Sequence, residues 1–234
     1  MNILAIGPHP DDLEINAYGT LARCVRRGDR VVCASVSNGN LGHYYYIPEE
    51  LRRIRFEEAT AAARVIGAEY LCLDCGDLTV DPYDAATQKR VVELIRSVRP
   101  DLIITNPPRD YMSDHVETNR LVFYAAFASS IPHYITESGC YDDTVPIFYY
   151  ESAGGFGFLP DEYVDISDTY SMKVEALKCH SSQLEWLSEH DSSNPLREME
   201  INALFRGMQS KVRYAEGFMH SRLHLRMRTF RLLP

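Results

Sequence analysis

The chain has 234 residues, of which 45% are apolar and 24% are charged, and this length suits one sizeable α/β domain. The formal net charge of −9 argues against a nucleic-acid partner, because neutralising phosphates requires a basic surface. No apolar run is long enough to span a bilayer, and the first residues carry no secretory-signal pattern. These features predict a cytoplasmic protein without a membrane span.

Three local patterns are interpreted as structural rather than functional. Six cysteines are scattered without a disulfide framework, which predicts reduced thiols. Cys72 and Cys75 form a single C-x-x-C with no second pair to complete a metal site, so we interpret them as packing residues. The segment from Arg222 to Arg231 is locally basic, and we interpret it as a solvated or subunit-contacting tail.

Apolar strand patterns alternate with helix patterns along the chain. The patterns predict strands at residues 2–7, 30–37, 70–73, 102–105, 145–150 and 163–166. They predict helices at residues 13–27, 48–66, 81–98, 114–129, 171–188 and 196–214. We expect a single domain over residues 1–234, with an elaborated C-terminal part from about residue 140 to residue 234.

This alternation predicts a Rossmann-like α/β fold, with a doubly wound, mostly parallel sheet and helices on both faces. The expected strand order is 3-2-1-4, extended by later strands. Strands 2 and 3 are added on one side of strand 1, whereas strand 4 is added on its other side. Ligands bind at this switch point between strands 1 and 4, outside the carboxyl ends of the strands. The loops after the first and fourth strands should therefore meet at one crevice.

The turn after the first strand, Gly7–Glu14, reads G-P-H-P-D-D-L-E. It offers one imidazole and three carboxylates in a turn that has few apolar contacts, so packing does not account for them. Imidazoles and carboxylates are common ligands of catalytic metals. The loop after the fourth strand leads to His115, a second imidazole on the facing side of the predicted crevice.

We predict a catalytic metal site with His9, Asp12 and His115 as its three protein ligands and one position open for water. Asp11 is adjacent to Asp12 but should point elsewhere, which suits a general base. Glu14 either supports a ligand from behind or favours the helix N-terminus. Each residue alone also has a simpler interpretation, as a helix cap, a loop residue or a first-turn helix residue; their joint position favours a site.

These residues carry a resemblance to a known family. The segment His9–Glu14 resembles the H-P-D-D-x-E motif of the PIG-L/LmbE-like N-deacetylases, and Asp114-His115 is similar to the D-H pair of the second motif. The similarity covers most of the chain and extends to Arg55-x-x-Glu58 and to stretches around Tyr163, His180, Phe205 and Tyr214. The family includes enzymes that deacetylate N-acetylglucosaminyl-phosphatidylinositol, bacterial thiol precursors and chitooligosaccharides.

The resemblance implies a divalent metal, Zn²⁺ with Fe²⁺ as the alternative, and the ligand and base roles given above. It implies an amide substrate, attacked by water at its carbonyl carbon, on a small N-acetylated sugar or sugar conjugate. It further implies that Arg55 and Asp77 contact the sugar. Members of the family often form trimers or hexamers, so a homo-oligomer is expected.

One position departs from the family pattern. The second motif commonly reads H-x-D-H and its first His stabilises the oxyanion, whereas this chain has Met112 there, which offers no usable donor. Asp114 has thereby lost the His that it would orient, and its spacing to Glu117 also indicates a helix capping box. Loss of one oxyanion donor costs roughly a hundredfold in rate. We predict that Tyr111 or His180 substitutes.

Four functions compete at this point. The first is a metal-dependent N-deacetylase of an amino sugar or sugar conjugate, and the second is an amidase for a larger N-acyl group or a non-sugar amide. The third is a metal-binding protein with little catalytic activity, which the methionine makes conceivable. The fourth, a nucleotide-binding Rossmann protein, ranks last because no G-x-G-x-x-G follows the first strand.

Overall fold

The protein is described from a computed structural model, which covers residues 1–190 and 192–234. The strands are β1 (Asn2–Gly7), β2 (Arg30–Ser37), β3 (Glu69–Cys75), β4 (Leu102–Thr105), β5 (Ile147–Tyr150), β6 (Glu162–Asp165) and β7 (Ala215–His220). The helices are α1 (Asp12–Asn16), α2 (Tyr18–Arg26), α3 (Pro48–Ile66), α4 (Ala85–Val98), α5 (Ser113–Ala128), α6 (Tyr170–Lys178), α7 (Ser181–His190) and α8 (Pro195–Ser210). Within the described ranges no helix is both long and apolar enough to cross a bilayer.

The strands form one seven-stranded sheet in the order β3-β2-β1-β4-β5-β7-β6. The first five strands in this order pair in parallel, whereas β7 pairs antiparallel with both β5 and β6. The predicted α/β class and the 3-2-1-4 strand order are confirmed. Since β1 and β4 are neighbours, the carboxyl ends of these two strands meet at the expected switch point.

The sheet is covered on both faces, as the side-chain alternation along β1 requires. Ile3 and Ala5 belong to one buried core with residues of α2, whereas Leu4 and Ile6 belong to a second core with residues of α4 and α5. A parallel strand that is buried on both sides reads as a continuous apolar run, which explains the sequence of β1 and β4. This rigid double-faced sheet holds the loops after β1 and β4 in place.

Several predicted bounds differ from the observed elements. The bounds of β2, α3 and β4 are confirmed, whereas the helix expected at 13–27 is split into α1 and α2 and the helix expected at 171–188 is split into α6 and α7. Strand β7 was not predicted. The helix expected from residue 81 begins at Ala85, because the Asp84 side chain caps it by accepting a hydrogen bond from the Thr87 N–H (2.8 Å).

The break between α1 and α2 has a tertiary cause. The backbone leaves helical geometry at Ala17 (φ −139°), and α2 starts as a new helix. Its free Gly19 and Thr20 N–H groups donate to the carboxylate of Glu216 on β7 (3.0 and 2.7 Å). Lys173 pairs with the same carboxylate at 2.5 Å, and both side chains are buried. The C-terminal part of the chain therefore fixes the first helices after the β1 turn.

The basic C-terminal segment is not simply a solvated tail. Arg226 is buried and donates to the Val145 carbonyl (2.7 Å), and Arg228 pairs with Asp143 (2.7 Å). The prediction of a solvated tail is therefore wrong for these side chains, because they attach the end of the chain to the loop before β5. A subunit contact of this segment stays a prediction.

Candidate metal centre and active site

The turn between β1 and α1 has an unusual backbone. Asp11 has φ 127° and ψ −27°, a conformation that non-glycine residues rarely adopt, and it directly precedes α1. The His9 N–H donates to Asp12 Oδ2 (2.9 Å), so the turn curls back on itself. As a result the two consecutive carboxylates separate, with Asp12 on the His9 side and Asp11 facing Arg55.

The three predicted ligand residues converge at the switch point. His9 Nδ1 lies 3.4 Å from Asp12 Oδ2, and His115 Nε2 lies 3.5 Å from the same oxygen. One ligand atom from each of the three residues falls within 4.8 Å of the others, and all three residues belong to the buried or nearly buried part of the crevice. Two imidazoles and one carboxylate at this spacing form a donor set that fits a divalent cation such as zinc.

On each imidazole, the ring nitrogen that faces away from Asp12 contacts a second carboxylate. His9 Nε2 contacts Asp114 Oδ2 at 3.1 Å, and His115 Nδ1 contacts Asp110 Oδ1 at 3.1 Å. The opposite nitrogen of each ring then faces Asp12. This is the carboxylate–histidine arrangement that fixes ring orientation and tautomer in metal sites. The donor set therefore has the outer support that a metal site needs.

Asp114 does not take part in the capping box that its spacing to Glu117 indicated. The residue that precedes α5 is Met112, and it makes no side-chain cap hydrogen bond. Asp114 instead accepts a hydrogen bond from the Leu78 N–H (2.8 Å) in addition to its His9 contact, so its carboxylate joins the β3–α4 loop to the turn after β1.

The electrostatics of the group follow from its burial and its mixed charges. Burial alone would lower the pKa of His9, but hydrogen bonds with Asp114 and Asp12 outweigh it and raise that pKa to about 10. Burial would raise the pKa of Asp12, but the neighbouring His115 and His9 imidazoles prevail and hold that pKa below its usual range. The carboxylates around His9 therefore favour the positively charged form of its imidazole.

Asp11 has a separate environment. Burial raises the pKa of its carboxyl to about 6, and the nearby Arg55 guanidinium limits that rise. Arg55 Nη2 lies 3.0 Å from Asp11 Oδ2 and also donates to the Pro10 carbonyl, while its Nη1 donates to the Gly39 carbonyl (3.4 Å). Arg55 therefore holds both the base candidate and the two loops on either side of it.

These groups open into a cavity of about 600 Å³. His9, Asp11, Asp12 and His115 form its polar end. Its remaining wall is largely apolar and comes from α1, the loop before α5, α7 and α8: Ile15, Tyr111, Met112, Trp186, Leu187, Met199 and Ile201. A cavity of this size and lining is typical of small-molecule sites.

Tyr111 and Met112 both line this cavity beside His115. The Tyr111 ring meets the His115 ring edge-on at 5.5 Å between centroids, and its side chain is 77% exposed. Met112 presents a thioether at the position where the family pattern has an imidazole. Tyr111 therefore lies at the cavity beside His115, and its role as a substitute donor stays a prediction.

His180 does not occupy such a position. Its side chain is fully buried, its Nε2 lies 3.1 Å from Glu14 Oε1, and it is not among the described residues that line the cavity. The prediction that His180 stabilises an oxyanion is wrong, because the ring is enclosed behind the site. Glu14 is likewise buried and faces His180 rather than the three-residue donor set.

Asp77 lines the cavity but its carboxylate is already engaged. It accepts hydrogen bonds from the Gly39 and Leu41 N–H groups (both 2.8 Å) and from the Ser37 hydroxyl. It therefore organises the loop after β2.

Residues of the family signatures outside the metal site connect neighbouring segments through hydrogen bonds. Glu58, three residues after Arg55, accepts from the Ser182 N–H (2.8 Å) and hydroxyl (2.7 Å) at the start of α7. Gln183 donates to the Gly42 carbonyl (2.9 Å). Through these bonds α3 and the loop after β2 hold α7 against the cavity.

Asp110 and most of the apolar wall were not predicted from the sequence. The signal for Asp110 is its position five residues before His115, in a loop that two prolines force out of regular structure. The wall residue Trp186 lies on α7 but belongs to no motif itself, so only its tertiary placement reveals it.

The fold and the donor set define a class of α/β proteins with a two-histidine, one-carboxylate site at the switch point of the sheet. The sequence model of the GlcNAc-PI de-N-acetylase family, PIG-L, matches residues 4–126, more than half of the chain. The chain belongs to this family.

Individual relatives extend the likeness to nearly the whole chain. Diacetylchitobiose deacetylase of Thermococcus kodakarensis is 29% identical over 225 residues, which cover 92% of this chain and 81% of that protein. 4-Oxalmesaconate hydratase of Pseudomonas putida is 25% identical over 234 residues, covering 92% of this chain and 86% of that protein. The solved structure of 4-carboxy-2-hydroxymuconate hydratase from Pseudomonas putida covers 100% of both chains with a TM-score of 0.84 at 23% identity, which shows the shared fold.

Proposed function

We propose that this protein is a metal-dependent hydrolase that removes the N-acetyl group from an amino sugar or sugar conjugate. The observation that carries the proposal is the convergence of His9, Asp12 and His115 in a cavity, with Asp11 beside them but turned to Arg55. Membership of a de-N-acetylase family and the likeness to a diacetylchitobiose deacetylase support this reaction.

The metal proposed for the site is Zn²⁺, with Fe²⁺ as the alternative, because two imidazoles and one carboxylate suit both. His9, Asp12 and His115 would hold it, and Asp110 and Asp114 would orient the two rings. When bound, such an ion lowers the pKa of water and polarises an amide carbonyl.

Asp11 is the proposed general base. It accepts a proton from the water that attacks the amide carbonyl carbon and returns it to the nitrogen of the leaving amine. A carboxyl with a pKa of about 6 suits this role, since it is ionised near neutral pH yet basic enough to take a proton. Arg55 positions it and keeps it apart from Asp12.

Tyr111 is the proposed donor to the oxyanion that forms on the carbonyl oxygen. It lines the cavity beside His115, and the neighbouring Met112 has no hydrogen to offer. Arg55 and Asp77 are proposed to meet the sugar where they reach the cavity wall, in addition to their structural bonds. The six free cysteines support a cytoplasmic location, which we also propose.

The charge of the cavity favours a neutral substrate. Four carboxylates line it, from Asp11, Asp12, Asp77 and Glu198, whereas Arg55 is the one Lys or Arg among the described lining residues and is already paired with Asp11. An acidic cavity also suits a product that carries an ammonium group. An N-acetylated sugar meets both conditions.

A hydratase is the second candidate. The observation in its favour is that a relative named as a hydratase matches almost the whole chain, together with the missing donor at Met112. Hydration of a carbon–carbon double bond in a polycarboxylate would need cationic side chains to bind the anionic groups, and the one Lys or Arg among the described lining residues, Arg55, is already paired with Asp11.

One experiment separates the two candidates. The zinc-loaded and iron-loaded protein would be incubated with a panel of N-acetylated mono- and disaccharides and glycosides, and with unsaturated dicarboxylates. Acetate release from the first group, absent after chelation and restored by metal, supports the deacetylase. Hydration of the second group without acetate release would overturn it.

A further inference from the structure

The cavity extends beyond its polar end into an apolar part. Six apolar side chains from α1, α7 and α8 form what we call the outer wall: Ile15, Trp186, Leu187, Pro195, Met199 and Ile201. The cavity volume of about 600 Å³ lies in the range that holds drug-sized ligands. The cavity therefore has room for a second group beside one N-acetylated sugar ring.

Trp186 is the largest side chain of the outer wall, and neighbouring rings hold it in place. Its indole stacks on the His190 ring, with 4.5 Å between centroids and 19° between planes. It also meets the Tyr44 ring at 4.3 Å between centroids. A large aromatic ring that is oriented before a ligand arrives is a preorganised surface for an apolar group.

The wall of the cavity is continuous from Arg55 to Trp186. Gly42 lies between Arg55 and Gln183, since a Cβ added at Gly42 would lie 3.8 Å from Arg55 Nη1 and 3.3 Å from Gln183 Nε2. Gln183 donates to the Gly42 carbonyl (2.9 Å), and Trp186 follows Gln183 by three residues on the same face of α7. A ligand that contacts Arg55 can therefore reach Trp186 along this wall.

The two sides of the scissile amide face different parts of the cavity. Tyr111, the proposed donor to the carbonyl oxygen, lies beside His115. Arg55, a proposed contact of the sugar, lies beside Asp11. Because the acyl group and the sugar are attached at opposite ends of the amide, the group that reaches Trp186 is the one beyond the sugar, namely the aglycone.

The polar side chains near the outer wall already make hydrogen bonds within the protein. Asn16 donates to the Asp12 carbonyl (2.8 Å), the Ser193 hydroxyl donates to Glu198 (2.7 Å), and Gln183 is engaged as described above. A second sugar ring would bring many hydroxyl groups that need partners, and burying them unpaired is costly. An apolar aglycone has no such requirement.

We propose that the substrate is an N-acetylated amino sugar with an apolar aryl or alkyl aglycone, and that this aglycone packs on Trp186 beside Leu187 and Met199. The inference rests on the proposed function, because the direction of the substrate follows from the roles given to Tyr111 and Arg55. The outer wall would thus determine specificity for the aglycone.

Binding can be measured without turnover, because Trp186 is the single tryptophan of the chain. The probes are the methyl, phenyl and hexyl glycosides of 2-amino-2-deoxyglucose, added to the full, metal-loaded protein. The Kd of the phenyl and hexyl glycosides should be about 10–100-fold lower than that of the methyl glycoside, with a change in tryptophan emission. Equal affinities for the three glycosides, or unchanged emission, would overturn the proposal.

Turnover provides the second measurement. Acetate release from the corresponding N-acetylated glycosides should show kcat/KM about 10–100-fold higher for the phenyl than for the methyl glycoside. Trp186→Ala should remove most of this preference, whereas Trp186→Phe should retain much of it. Phe127→Ala is the matched control and should keep the preference, since Phe127 is an exposed aromatic residue on α5 that is not among the described lining residues.

The remaining outcomes separate this inference from the proposed function. A higher kcat/KM for an N-acetylated disaccharide than for the phenyl glycoside, or for an N-hexanoyl than for an N-acetyl group, would overturn the assignment of the outer wall to an apolar aglycone. Selective binding of the phenyl and hexyl glycosides without acetate release from any substrate would overturn the deacetylase function and support the aglycone site.

Discussion

The guanidinium of Arg55 lies 3.0 Å from the carboxylate of Asp11 and binds the backbone on both sides of it. This pair explains how two consecutive aspartates come to have different environments. Asp12 is surrounded by imidazoles, whereas Asp11 is held by Arg55 with a backbone φ of 127° that costs about 1–3 kcal/mol.

Replacing Asp11 by Asn should remove the base without removing the metal. We expect kcat for acetate release to fall about 10²–10⁴-fold, since an amide cannot accept the proton. Metal content should remain near that of the wild type, because Asp11 contacts Arg55 and not the donor set. Acetate assays and elemental analysis of the same preparation check both points. Activity within tenfold of the wild type would assign the base elsewhere.

Tyr111→Phe should lower kcat about 10²-fold with little change in KM, because the hydroxyl acts on the oxyanion and not on the bound substrate. Steady-state kinetics on an N-acetylated sugar that the wild type accepts provide the measurement. Phe is the matched change, since it keeps the ring that packs against His115. An equal loss of kcat in Met112→Leu would indicate packing as the cause rather than the hydroxyl.

Asp110→Asn should weaken metal binding about 10–100-fold, because the variant loses the charged acceptor that holds His115 Nδ1 at 3.1 Å. Asp114→Asn should have a similar effect through His9. Competition with a chromophoric chelator measures both affinities. Asp142→Asn, at a distant loop position, serves as the control. Unchanged affinity in both site variants would contradict the orienting role.

Removal of the metal should make stability depend on pH through His9. The pKa of His9 in the folded protein is raised to about 10 from an ordinary value of 6.5, since contacts with Asp114 and Asp12 outweigh burial. The stabilisation is therefore complete below about pH 6.5 and is lost as pH rises toward 10. Melting temperatures of the chelator-treated protein should fall between pH 6.5 and 9.

His9→Gln provides the comparison, and its melting temperature should fall less over the same range. The range stops at pH 9 because the buried thiols of Cys24 and Cys33 have raised pKa values, Cys24 to about 12, and unfolding lets them ionise at higher pH. Parallel pH profiles for the two proteins would show that His9 does not carry the effect.

Lys173→Met should destabilise the fold by about 3–5 kcal/mol, because it leaves the buried Glu216 carboxylate without its cation. Urea unfolding measures the loss. Lys178→Met is the matched control, since Lys178 pairs with Glu175 at the surface (2.9 Å) and should cost less than about 1 kcal/mol. Equal losses in both variants would exclude a special role for the buried pair.

Local sequence pattern was sufficient for the parts of the fold and site that depend on neighbours in the chain. Continuous apolar runs defined β2 and β4, and the acids after Pro48 together with Gly67 bounded α3. The strand order then followed from right-handed crossover connections between consecutive parallel strands. His9 and His115 could be placed at one crevice because β1 and β4 had to be neighbours.

Only the tertiary structure decided the contacts between segments that are far apart in the chain. Glu216 on β7 accepts hydrogen bonds at the start of α2, where α1 and α2 are divided. The sequence of these two helices contains no pattern that indicates this contact. The contact of Asp110 with His115 and the contact of the buried His180 with Glu14 depend on how loops and helices pack in the folded chain. Burial and side-chain direction arise from packing of the whole chain, whereas helix and strand periodicity arises from neighbouring residues, so only the latter can be read from the sequence.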